Sequence, residues 1–70
     1  MSKLQKLYSI IEKSRELGLE LCEDVLRQTA ELEEKIIKKE ILPVLSAQIE
    51  PTLQQIKRNL VLVVDYASGE

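Results

Sequence analysis

Cys22, Glu16, Glu20, Glu23 and Asp24, the lysines 35, 38 and 39, and the tyrosines 8 and 66 are the residues of this chain whose types and spacing could do chemistry. The sequence holds one cysteine and no histidine. Without histidine the commonest acid or base near neutral pH is missing, and neither a Ser/His nor a Cys/His nucleophile can be assembled. An enzyme is therefore not expected, and no catalytic residue is assigned.

The four acidic residues lie on neighbouring helical turns and could gather a divalent cation if several helices met there. Sites of that kind usually add a histidine three residues from a glutamate, so a solvated face is the simpler account. No metal or other cofactor is expected. Cys22 has no partner for an intrachain disulfide, and no CxxC or Cys/His cluster offers a zinc ligand set. A single thiol behaves as a small apolar residue. A bridge between two copies of Cys22 would need helices paired in parallel near that turn.

Lys35, Lys38 and Lys39 crowd one side of a helix near its end, where positive charge complements the helix dipole. As a phosphate-contacting patch, joined by Lys57 and Arg58, they define the alternative function, a small nucleic-acid-binding regulator. Ten basic against twelve acidic residues leave a formal charge of −2, so no overall field draws the chain to a phosphate backbone or an anionic membrane. Two tyrosines are the whole aromatic complement, too few for a base-stacking platform. Nucleic acid is thus a disfavoured partner. The tyrosines suit a protein interface or the edge of a core.

These groups must be positioned by elements that seventy residues can support, a length at which one chain buries a small fraction of its surface. Disulfides and metals being excluded, the remaining support is association with other chains. A homo-oligomer is expected, with room for a further protein partner. No apolar run approaches the roughly 20 residues that cross a bilayer, and the first residues do not read as a secretory signal. With the lone thiol, this predicts a cytoplasmic location.

Residues 1–42 consist of strong helix formers with one glycine and no proline. Ser2 with Gln5 reads as a capping box, and apolar residues recur at helical spacing through Leu4, Leu7, Ile11, Leu17, Leu21, Val25, Leu32, Ile36 and Ile41. A strict heptad meets polar residues or glycine at Ser14, Gly18, Gln28 and Lys35, too often for a two-stranded coiled coil. Paired sites such as Val25 with Leu26 describe a wider stripe, suited to a bundle of several chains. No capping residue follows Gly18. The spacing therefore predicts one amphipathic oligomerisation helix of about 40 residues, about 60 Å long.

Pro43 ends or kinks that helix, and residues 43–59 read as a connector punctuated by Pro51, with a capping box at Thr52 and Gln55 and a short helix over 53–58. Residues 60–70 form a hydrophobic tail. Its valines and tyrosine favour a strand over 60–66, and the closing Ala67-Ser68-Gly69-Glu70 then resembles a hairpin turn that lacks its return strand. Such a strand would pair with its copy in another protomer, or the chain would be the front of a longer polypeptide. The competing expectation is helix, because Leu53, Ile56, Leu60, Val63 or Val64, and Ala67 keep a 3-4 spacing.

The fold class expected is mainly α, an intermolecular helical bundle with a candidate C-terminal strand. Leu21, Val25, Leu32, Ile36 and Ile41 would form its seam, and Leu60, Leu62 and Val64 would close one end. The function expected is self-association.

Overall fold

The computed structural model describes residues 3–69 and contains three helices: α1, Lys3–Glu16; α2, Glu20–Ile37; and α3, Pro43–Ser68. Among the described residues there is no strand. The mainly helical class stands, and the helices fall elsewhere than expected.

The single long rod is corrected to a hairpin. Gly18 takes a left-handed φ of 76°. Its N–H donates to the Arg15 carbonyl at 3.0 Å, and the Leu19 N–H donates to the Ser14 carbonyl at 2.9 Å. Together these close α1 in a Schellman motif, which satisfies the last carbonyls without any side chain. The expected signal, a capping side chain before α2, is not what makes the bend, for the Leu19 N-cap forms no side-chain hydrogen bond. The capping box placed at Ser2 lies outside the described residues.

α2 ends in the same way. Lys39 adopts φ 59°, its N–H donates to the Ile36 carbonyl, and the Glu40 N–H donates to the Lys35 carbonyl. Leu42 is extended, as residues before proline tend to be, and Pro43 occupies the first turn of α3, where its missing N–H costs nothing.

The strand expected over 60–66 and the short helix over 53–58 are both corrected to parts of α3, which runs 26 residues through Pro51. Thr52 is helix interior, and the Gln55 side chain donates to Asn59 at 3.3 Å instead of capping. The 3-4 spacing of Leu53, Ile56, Leu60 and Val64 outweighs valine's strand preference, because it gives the helix one face that can be buried against α1 and α2. Gly69, in the left-handed conformation at φ 80°, is the C-cap of this helix and not a hairpin turn.

The core is centred on Leu7, Ile11, Leu26 and Ala30, with Ile10 and Leu60 packed against it; Leu53 and Val64 are also buried. Two buried hydroxyls are satisfied locally: Ser14 donates to the Ile11 carbonyl at 2.7 Å and Thr29 to the Val25 carbonyl at 2.9 Å. The longest dimension, 39 Å, equals the length of α3, since 26 residues rise about 39 Å and the 18 of α2 only about 27 Å. The C-terminal end of α2 is level with Glu50 and Gln54, which line a shared cleft with Ile36 and Ile37. The first turns of α3 therefore project beyond α2.

Candidate interaction surface

Gly18 decides which line of α2 points inward. Leu26 and Ala30 are buried, while Val25 keeps 37 % of its surface and Leu21 keeps 80 %. Leu32 and Ile36 are half-buried on the same flank. The residues expected as a seam thus lie one position, or about 100°, away from the line that the hairpin buries. Ile41 is half-buried in the turn before α3. At the other end of the chain Val64 belongs to the core, Leu60 packs against it, and Leu62 is 63 % exposed.

Further apolar side chains lie outward that spacing did not single out. Val63 and Tyr66 join Leu62 on the outer side of α3, with Tyr66 89 % exposed. Ile37, Leu42, Val44 and Leu45 are exposed around the α2–α3 turn and the projecting start of α3. The signal for the first group was the unbroken run itself, since five adjacent apolar residues cannot all share one side of a helix. For the second group it was Pro43 as a helix start, which brings the apolar residues on both sides of it to one end of the bundle.

Two polar pairs fasten helix to helix. Tyr8 donates to a Glu34 carboxylate oxygen at 2.6 Å, tying α1 to α2. This hydrogen bond, with desolvation and the negative charges of Glu34 and Glu31, pushes the Tyr8 phenol above its ordinary value, against a smaller opposing effect of Arg27. Lys57 meets Glu33 at 2.5 Å with both side chains largely covered, tying α3 to α2. Glu23 pairs with Arg27 at 2.6 Å on the surface of α2, and Glu12 pairs with Arg15 on α1.

Lys35, Lys38 and Lys39 are exposed over the last turn of α2 and the turn after it, and Lys57 is engaged with Glu33 instead of extending them. Cys22 is a half-buried free thiol. Among the described residues no group of three or more Cys, Asp or Glu side chains is placed to hold a metal ion, and no helix is long and apolar enough to cross a membrane. The cleft lined by Leu4, Glu33, Ile36, Ile37, Glu50 and Gln54 encloses about 150 Å³. It presents apolar walls with two carboxylates, one of them already paired with Lys57.

No family model matches the chain, and no curated protein and no solved structure is detectably similar to it.

Proposed function

We propose that the chain is a non-enzymatic self-association module, whose copies cover one another's outward apolar residues. One observation carries this reading. The folded chain exposes 5094 Å², whereas a compact monomer of 8.0 kDa would expose about 4,450 Å². The surplus of about 600 Å² approaches the roughly 800 Å² that one partner contributes to a standard interface.

The exposed surface includes large apolar side chains, Leu62, Val63 and Tyr66 on α3 and Leu21 on α2, which gain most from being covered. Tyrosine is enriched at such contacts because its ring is apolar and its hydroxyl can stay wet. The absence of histidine supports the non-enzymatic part of the reading.

Sedimentation equilibrium over a dilution series, with helicity followed in parallel, tests it. A concentration-dependent mass is expected, lost when Leu62 and Tyr66 are both replaced by Glu while helicity is kept. A helical monomer at every concentration up to millimolar overturns the reading.

A further inference from the structure

The projecting start of α3 takes no part in the association through Leu62 and Tyr66, and it differs from the rest of the surface. Residues 41–49 carry no charged side chain. Six successive helical residues, 43–48, pass right round the helix at about 100° each, and all of them but Ser46 are exposed. With Leu42, also exposed, this apolar end is open on all sides instead of along one face. It stands clear of α2 by about 10 Å, the rise from Pro43 to Glu50.

Positive charge gathers behind it. Lys35 and Lys38 are exposed at the end of α2, past which α3 projects, and Lys39 shares a cleft with Ile41, Pro43 and Ala47. Of the nearby carboxylates, Glu33 is paired with Lys57 and Glu34 accepts the Tyr8 hydroxyl. Glu40 and Glu50 offset part of the lysine charge, which keeps an excess.

We infer that this end of the molecule docks on an anionic lipid bilayer, with Leu42, Val44 and Leu45 entering the hydrocarbon boundary and Lys35, Lys38 and Lys39 meeting lipid phosphates. A flat protein face covers one side of a projection, whereas a fluid bilayer closes round it. Peripheral apolar segments enter a bilayer by about 5–10 Å, the height of this projection. The chain's formal charge of −2 does not oppose the contact, because a membrane's field fades within about 8 Å in physiological salt. The acidic residues near Gly18 lie at the other end of a molecule 39 Å long.

This surface is separate from the one proposed for self-association. Leu62 lies 19 residues along α3 from Pro43, about 28 Å away. Either contact can therefore fail alone.

Co-sedimentation of the full chain with vesicles containing about 30 % phosphatidylserine in phosphatidylcholine, beside phosphatidylcholine alone, is the test. Binding about tenfold tighter to the anionic vesicles is expected from the excess of lysine over glutamate, and changing all three lysines to Gln should weaken it about a hundredfold. Leu42→Glu with Val44→Glu should abolish it and keep helicity, since both side chains are more than 60 % exposed and glutamate suits a helix N-terminus. The chain has no tryptophan, so Val44→Trp supplies a single reporter. Its emission should move to shorter wavelength on anionic vesicles, and that of Leu62→Trp should not.

No binding to anionic vesicles at low salt overturns the inference. So does binding that survives Leu42→Glu with Val44→Glu, which would be adsorption through lysine alone, or a Val44→Trp emission that does not move. If those two glutamates instead dissociate copies of the chain in the absence of lipid, this end is a protein contact and the inference falls. Leu62→Glu with Tyr66→Glu should leave vesicle binding in place. A monomer that binds anionic vesicles retires the self-association and keeps this contact.

Discussion

In the α1–α2 hairpin Leu7, Ile11, Leu26 and Ala30 are buried together, whereas over Leu60–Val64 five consecutive apolar residues wind round α3 and only Val64 is fully buried. A helix can turn about a third of its circumference to a neighbour. Leu26 and Ala30, four residues apart, fit within that third of α2; an unbroken run does not fit within that of α3. The α1–α2 hairpin therefore holds most of what stabilises the single chain, and α3, though rich in aliphatic residues, carries much of them on its outside. On the reading proposed above, stability and association would be lodged in different helices.

The sharpest break of this comparison sets Leu26→Ala against Leu62→Ala. Leu26 is fully buried, and its truncation should cost about 2–5 kcal/mol through lost burial and the cavity left behind. A chain of this length has only about 4–10 kcal/mol in total, so the variant should be close to unfolding. Leu62→Ala should change monomer stability by less than about 0.5 kcal/mol. Urea denaturation at a concentration where the chain is monomeric measures both, and equal effects would erase the distinction between the two regions.

Pro51→Ala should move α3 in the opposite direction. Proline at 51 cannot donate to the carbonyl of Ala47, one turn earlier, and its ring crowds that turn. Alanine restores the hydrogen bond, offset in part by a more flexible unfolded chain. A gain of about 1–3 kcal/mol and a rise in helicity are expected by denaturation and circular dichroism. No gain would mean that the projecting first turns of α3 are not helical in solution, and the contrast with the hairpin would then be one of order as well as of packing.

How much of this was legible in the sequence depends on what kind of signal each residue sends. Helix was written in composition, and the inward face of α3 in the spacing of Leu53, Ile56, Leu60 and Val64. The bend was not, because a Schellman motif needs only a glycine with the right dihedral angle, and a glycine within a helix looks the same. That one omission propagated. A straight helix carries the phase of Leu7 and Ile11 onto Val25, so the exposed flank was read as the seam and Leu26 was missed. β-Branched residues gave the opposite error at Leu60–Val64, where local preference for strand yielded to the chance of burying one face against α1 and α2. The outward patches were legible only in part: the unbroken run over 60–64 signals the one on the outer side of α3, while the one around Pro43 follows from Pro43 starting α3 instead of ending a helix.

Lys39→Gly isolates the second bend. A lysine at φ 59° bears the clash that glycine avoids, about 1 kcal/mol or slightly more, part of which is returned by the freer unfolded state of glycine. A gain of about 0.5–1 kcal/mol is expected in thermal or urea unfolding. The gain should match that of the same change in a Lys35→Ala background, which removes a neighbouring like charge without touching the dihedral angle. A gain that disappears there would identify charge repulsion, not backbone strain, as what Lys39 costs.

The smallest effect expected lies at the edge of the hairpin. Tyr8 donates to Glu34 from a side chain that is 41 % exposed. Because the bond and the adjacent carboxylates favour the protonated phenol, its folded pKa lies above the ordinary value of about 10. A raised folded value stabilises the fold fully below the unfolded pKa, and that contribution is lost as pH rises through the folded one. Tyr66→Phe leaves Tyr8 as the sole phenol, whose absorbance change should then have its midpoint above pH 10 and return toward the ordinary value when Glu34→Gln is added. The unaltered chain should also lose slightly more stability above pH 10 than Tyr8→Phe does, a difference that cancels the titration of the lysines. A midpoint at the ordinary value would show that α1 and α2 are joined by their apolar line alone, which would make burial at Leu7, Ile11, Leu26 and Ala30 the whole of the hairpin's advantage over α3.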